Sequence, residues 1–331
     1  MQLKPRYIIL FVVLAAFVSL CSVVVVKNHD ADYRALFGRH TRILSPEIPS
    51  SASFAGEEVP LDLYYVREAF EREIFANSFL HSTTIMVFKR ANRWFPVIEP
   101  ILKENGIPDD FKFLAVAESN LVNVTSAAGA EGYWQFVKPT GQKYGLEISE
   151  KVDERYHMEK ATRAACAFIR EAREKSGSWT LAAACYNRGT DGILRALENQ
   201  KVNNYYDLYL NDETSRYVFR ILAIKEIYNH PARYGFYLRQ QDFYPPIPTR
   251  EVTVDSAVAD LPAFARAQSS NYRILRELNP WIRNYSLPNP SKKSYTLRFP
   301  LDGAISWQKL RKNMPESATF FHDTLTIDEL R

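Results

Sequence analysis

The stretch Phe111–Phe136, FKFLAVAESNLVNVTSAAGAEGYWQF, decides how the rest of this chain is read. Pro108 stands just ahead of it with Asp109 and Asp110, where negative charge suits the positive end of a helix dipole. Phe111, Leu114, Ala115 and Glu118 recur at helical spacing, so a helix sets them on one face. Three of them are apolar. The fourth carries a carboxyl toward an interior or a cleft, at the negative end of its helix.

Both circumstances favour the protonated acid. A carboxyl kept neutral near pH 7 is the group that glycoside cleavage uses as its general acid. The alternative for Glu118 is a solvated carboxylate at a helix end, because Glu is seldom buried without a partner. Beyond Ser119 a polar loop leads to Gly129 and Gly132, then to Tyr133, Trp134 and Gln135. Glycine allows close backbone approach and positive φ. An aromatic pair beside an amide offers stacking area and hydrogen bonds to a polyhydroxylated ligand. The same residues also suit a glycine-rich turn closed by a core Trp.

Lys and Arg total 42 against 38 acidic residues, a net charge of +4 spread without blocks, which gives no basis for nucleic-acid binding. The cysteines, Cys21, Cys166 and Cys185, form no CxxC or Cys/His spacing, so neither a metal site nor a cofactor is expected. Cys166 and Cys185 read as buried free thiols, with a disulfide as the alternative in an oxidising compartment.

Tyr7–Val26 contains no charged residue and matches the ~20 residues of a bilayer-spanning helix. Lys4 and Arg6 precede it, and no small-x-small site closes it, so residues 1–30 read as an uncleaved signal anchor, a transmembrane segment. A lipoprotein anchored through Cys21 comes second, because bulky Leu20 sits where a small residue is usual. Residues 31–60, rich in Ser and Pro toward the end, read as a linker. Helical patterns follow at Val66–Phe75, Thr83–Trp94, from near Pro96 to before Gly106, Glu159–Lys175, Leu181–Asn187 and Thr214–Asn229. With no convincing alternation between them, residues 61–240 form a domain that is all-helical or nearly so. After the PPIP run, Val252–Val254, Asp260–Ala267, Tyr272–Leu278 and Tyr295–Phe299 read as strand, helix, helix, strand within residues 245–300, followed by a tail, 301–331.

Four motifs occur in order: Glu118-Ser119, GAEGYWQF at 129–136 with PTGQKYGL behind it, CYNRG at 185–189 and ETSRYV at 213–218. The set resembles the lytic transglycosylases related to goose-type lysozyme, in their membrane-bound D-type branch. The βααβ unit resembles a LysM module, although it lacks the glycine-containing turn usual after the first strand. Sugar binding by the unit and simple packing on its neighbour therefore both stay open. The fold implied is mainly α: a lysozyme-like SLT catalytic domain, a small LysM-like module and an N-terminal transmembrane helix.

The activity implied is cleavage of the β-1,4 bond between N-acetylmuramic acid and N-acetylglucosamine, with Glu118 as acid and then base and 1,6-anhydro ends as product. The resemblance also implies that Ser119 bonds near the helix end and that Gln135 contacts the acetamido sugar. Tyr186 and Asn187 would line the cleft, the Asn amide positioning the substrate carbonyl, and Tyr217 would donate its hydroxyl to Glu118. Peptidoglycan glycan strands are the implied partner, together with the membrane through the N-terminal helix and other cell-envelope enzymes. The implied location is a Gram-negative envelope, facing the periplasm from the inner membrane in preference to the outer. A hydrolytic muramidase and a non-catalytic wall-binding anchor are the other readings.

Three positions depart from the family pattern: Cys185 stands for Ala, Arg188 for a small residue, and Ser215 for Arg with Arg216 next to it. The last shift is expected to weaken a structural ion pair while leaving Tyr217 in register. Arg188 is expected to add charge and bulk at the cleft wall. Glu131 is expected to be solvated, and Asp153, Glu154 and Glu213 to serve as helix-start residues.

Overall fold

A computed structural model of the chain describes residues 45–312. The apolar segment read as an anchor, within residues 1–30, and Cys21 lie outside the described residues. Among those described, no helix is long and apolar enough to cross a membrane.

The stretch read as linker belongs, over its second half, to the fold. Ala55 and Gly56 both take positive φ (53° and 81°) and turn a two-residue hairpin of β1 (Ser53–Phe54) and β2 (Glu57–Glu58). Such φ values match the twist of the flanking strands. Phe54 and Val59 enter the main core, and the Phe54 ring meets that of Phe111 edge-on at 5.0 Å. Each large apolar side chain so buried contributes roughly 2 kcal/mol, which is enough to hold a short hairpin down.

Eight helices continue the described part of this region: α1 (Tyr64–Phe79), α2 (His81–Glu104), α3 (Lys112–Ser119), α4 (Lys138–Lys143), α5 (Met158–Ser176), α6 (Trp179–Arg188), α7 (Thr190–Gln200) and α8 (Asp212–Asn229). The two helices expected on either side of Phe95 are one. Pro96 and Pro100 lie inside α2, one turn apart and both exposed. The carbonyls that they leave without a donor therefore fall on the solvent side, where water can satisfy them. Helix α7, which had not been expected, begins directly after Gly189 and buries Ile193 in the core, with Leu197 packed against it.

The central helix α3 carries Phe113, Leu114, Ala115 and Val116 fully into the core, with Phe111 just before it in a 3₁₀ turn. Asp110 does not simply face the helix dipole. It accepts from the Ala55 amide at 2.7 Å and from Lys225 of α8 at 2.7 Å, which ties hairpin, α3 and α8 together.

The C-terminal unit follows the expected order. Strand β3 (Thr249–Val254) pairs antiparallel with β4 (Tyr295–Pro300), with Val252 opposite Leu297, and α9 (Leu261–Ala267) and α10 (Tyr272–Leu278) lie between them. Asp260 and Asn271 cap the two helices by accepting from Ala263 N and Ile274 N. Its core of Leu261, Leu275, Leu297 and Phe299 is continuous with Val152 and Tyr156 of the helical region. Backbone bonds from Asp153 N to Trp281 O and from Arg283 N to Lys151 O, both 2.8 Å, join the two parts. The unit thus packs on its neighbour. A short helix, α11 (Trp307–Lys312), opens the tail.

Candidate active site

Helix α3 ends at Ser119, where two successive residues, Asn120 and Leu121, take left-handed φ of 51° and 57°. Asn tolerates that conformation, whereas Leu121 is held in it by complete burial. Ser119 Oγ lies 2.7 Å from Tyr133 O and 3.1 Å from Ala115 O, so its proton ties the helix end to the glycine motif. Gly132 (φ 82°) lets the same motif pass close against the backbone at Arg155: a Cβ there would stand 1.9 Å from Arg155 O.

The aromatic pair is not a stacking platform. Trp134 is wholly buried and donates Nε1–H to Thr162 Oγ1 at 2.9 Å, while Tyr133 packs against Trp94. This is the core-Trp alternative. Gln135 sits beside them at φ 50°, and its Nε2 donates to Val124 O (2.9 Å) and Gly132 O (2.8 Å). The amide nitrogen therefore pins the loop, and its carbonyl is the end left to meet a ligand.

Helix α6 brings Tyr186 and Asn187 to the same place. Its N-terminus is capped twice: Ser178 accepts from Leu181 N, and Glu57 of the hairpin accepts from Trp179 N (2.7 Å), Thr180 N (2.8 Å) and Thr180 Oγ1 (2.7 Å). Tyr186 Oη donates to Trp134 O at 2.7 Å, locking the third motif to the second. Asn187 Oδ1 accepts from Thr214 Oγ1 at 2.8 Å, which orients the amide and, among the described residues, leaves its nitrogen to donate elsewhere. From α8, Tyr217 donates its hydroxyl to Glu118 Oε1.

Burial pushes the Glu118 carboxyl up to about 7, against the Tyr217 hydrogen bond and the Arg220 charge, both of which favour the carboxylate. Glu213 adds a small push upward, but its own carboxylate is exposed and paired with Arg220 at 3.4 Å. Burial and the nearby Glu118 hold the Tyr217 phenol well above its usual range, so it remains a donor.

Behind this group lies an ion cluster that sequence reading did not find. Glu73 of α1, 1% exposed, faces Arg216 Nε at 2.7 Å, Arg220 Nε at 3.8 Å and Arg72 Nε at 3.6 Å. The ion pair expected to suffer from Ser215 is thus made by Arg216. A signal for Glu73 existed: it falls on the apolar face of α1 beside Val66, Phe70 and Ile74.

Other expectations need correction. Glu131 is not simply solvated, since it pairs with Arg155 Nη2 at 3.0 Å. Asp153 does cap a 3₁₀ turn but also holds the buried Arg155 guanidinium through both oxygens, at 2.9 and 2.7 Å. Arg188 is exposed and tethered to Asn211 Oδ1 at 3.0 Å. Cys166 and Cys185, by contrast, are the buried free thiols expected, pushed up to about 12 and 11 by that burial.

Comparison with known proteins agrees with the motif set. Residues 95–208 match the family described as the transglycosylase SLT domain, and residues 250–303 match the soluble lytic transglycosylase C-terminal LysM-like domain. Membrane-bound lytic murein transglycosylase D of Escherichia coli is 29% identical over 199 residues, covering 57% of this chain and 43% of that protein. The same protein of a second strain, Escherichia coli O6:H1, aligns to the same extent. The chain therefore spans less than half the length of these curated relatives. An X-ray structure of an inactive mutant of the lytic transglycosylase Slt from Pseudomonas aeruginosa aligns with a TM-score of 0.33 at 20% identity, over 42% of this chain and 24% of that one. The chain carries a transglycosylase SLT domain followed by a LysM-like domain of the soluble lytic transglycosylase C-terminal type.

Proposed function

We propose that this chain is a peptidoglycan lytic transglycosylase, held at a membrane of the cell envelope and facing the periplasm, with Glu118 as its one acid–base group. The observation that carries the reading is the pairing of Glu118, half-buried and pushed up to about 7, with the buried Tyr217 hydroxyl. Glu118 is then largely protonated below neutrality, yet a donor is in place to steady its carboxylate.

Protonated Glu118 gives its proton to the glycosidic oxygen after N-acetylmuramic acid. The substrate's own acetamido carbonyl attacks C1, and the amide nitrogen of Asn187 is oriented to hold that carbonyl. Ionised Glu118 next takes the C6 hydroxyl proton, and that oxygen closes the 1,6-anhydro ring. Atoms balance without water. A single carboxylate suffices, in keeping with Glu213 being exposed and engaged by Arg220. An acid so placed contributes ~100- to 10,000-fold in rate. The carbonyl of Gln135 and the Tyr186 ring supply sugar contacts at the loop side.

Mass spectrometry of sacculi digested by the full chain in detergent tests the reading. Muropeptides with anhydro ends, one water lighter than reducing ends, are expected. Reducing ends would assign the chain to hydrolytic muramidases. Binding to sacculi with no soluble product would make it a wall anchor.

A further inference from the structure

Helix α2 opens on a surface that the Glu118 chemistry does not use. Phe79, Leu80 and Ile85 are exposed at the α1–α2 junction. The His81 ring lies 6.2 Å from that of Phe79 and 6.0 Å from the buried ring of Phe236. His81, Ile85 and Lys89 follow one another at four-residue spacing on α2 and so share a face. Lys89 Nζ lies 5.2 Å from the centre of the Tyr244 ring, and that ring meets Trp307 edge-on at 6.4 Å. The surface therefore runs on to α11 and the turn before it, where Ile305, 64% exposed, and Trp307, 46% exposed, stand in solvent as well.

Its charge is of one sign. Residues 74–98 and 303–312 contain no Asp or Glu, while α11 carries Lys309, Arg311 and Lys312, all exposed. The carboxylates at the margins are engaged or outnumbered. Asp242 accepts from Arg239 through both oxygens, at 2.9 and 3.1 Å, and Glu226 pairs with Arg233 at 2.7 Å. Asp302 is one acid beside the three cations of α11. The described chain also begins in this neighbourhood: Glu47 O accepts from Tyr234 Oη at 3.3 Å, two residues before Phe236.

Exposed aliphatic side chains, an indole and cations without acids are what an interfacial membrane site is made of: Trp seats at headgroup level, and Lys and Arg meet anionic headgroups. A second copy of the chain fits poorly, because a two-fold contact sets each patch against itself and would bring Lys309, Arg311 and Lys312 against like charges. A glycan could stack on Trp307 but has no use for Leu80, Ile85 and Ile305. We propose that this face of α2 and α11 docks on the anionic headgroup layer of a bilayer. The proposal rests on the membrane attachment in the reading above and not on its chemistry. Residues 27–44, between the apolar run and the described fold, span at most ~60 Å when fully extended. A tether of that reach gives a high effective concentration, so a weak contact suffices to hold the face down. Docking fixes the orientation in which the Glu118 site meets the wall.

The test reads tryptophan fluorescence of the full chain in nanodiscs of phosphatidylglycerol and phosphatidylcholine, with plain or brominated acyl chains. Of the five tryptophans only Trp307 is exposed, and residues 1–44 contain none, so its signal reports the folded part. Brominated lipid is expected to quench roughly half of the emission that Trp307→Phe removes. Lys309→Gln with Arg311→Gln and Lys312→Gln should cut that quenching at least twofold, to the level seen on phosphatidylcholine alone. Leu80→Ser with Ile85→Ser should cut it similarly. Melting curves and cleavage of soluble glycan strands should stay as in wild type for both variants. A chain that enters the discs with Trp307 unquenched, or variants quenched as fully as wild type, would overturn the docking face and leave the attachment standing. Two copies per disc that bury Trp307 against each other would assign the face to self-association and overturn the lipid proposal. A chain that stays outside the discs would overturn attachment and docking face alike.

Discussion

The hydroxyl of Tyr217 donates to Oε1 of Glu118 across 99 positions of sequence. A hydrogen bond to the ionised form lowers a carboxyl's pKa, and here it works against the burial that raises it. Tyr217→Phe removes the donor and keeps the ring. Bonds to charged groups are worth ~1.5–3 kcal/mol, so kcat should fall by roughly 10- to 100-fold. KM should change little. The alkaline limb of the pH–rate profile should move upward, and a profile identical to wild type would remove Tyr217 from this role.

The raised Glu118 pKa fixes a second sign. The carboxyl can donate only while protonated, so activity should fall as pH rises through about 7. Stability follows the same group. Between its unfolded value of 4.5 and its folded value of about 7, the folded state holds the proton more tightly, so stability declines with rising pH across that window. Glu118→Gln abolishes the term. The variant should be inactive, melt like wild type below pH 4.5 and melt higher than wild type above pH 7, by an amount on the order of 3 kcal/mol at most. Thermal scans at pH 4 and pH 8 decide the point.

Sequence made the helical core, the βααβ unit and the Glu118 face legible, because each is written in local period: 3.6 residues for α3, alternation for Tyr295–Phe299. The hairpin at Ser53–Glu58 was not legible. Its six residues hold one core side chain, and what gives it purpose is Glu57 reaching α6 more than 120 positions later. Pro96 reads as a helix start because local rules cannot say that the carbonyl it frees faces water. Trp134 showed the converse failure: a residue type suited to a ligand was used by the core. In the site, motif order placed Tyr217, whereas Glu73 and Arg220 required the packing of α1 on α8.

Glu57 offers a direct measure of that long-range dependence. Its carboxylate meets two backbone amides and one hydroxyl at the start of α6, where it also faces the positive end of the helix dipole. Glu57→Ala should destabilise the fold by about 1–3 kcal/mol, in the range of a lost cap with charge-assisted bonds. Since α6 carries Tyr186 and Asn187, activity should drop at temperatures where the fold persists. Glu57→Gln, which keeps one acceptor, should fall between. Denaturant unfolding of the three proteins checks the order.

Glu73 extends the argument to the acid itself. Its buried carboxylate draws Arg216 and Arg220 toward α1, and Arg220 is also the positive charge that acts on Glu118. Glu73→Gln leaves these guanidiniums without their shared counter-charge. Breaking a buried pair by removing one partner costs about 3–5 kcal/mol, and rather less here because both arginines reach solvent. The uncompensated Arg220 charge then acts on Glu118 at greater strength and favours its carboxylate. The alkaline limb should consequently move to lower pH, opposite to the shift expected from Tyr217→Phe. Arg220→Gln should move it upward instead. A pH–rate series on the two variants, with melting curves to confirm that each is folded, separates an electrostatic role for the cluster from a purely structural one, which would lower activity without displacing the limb.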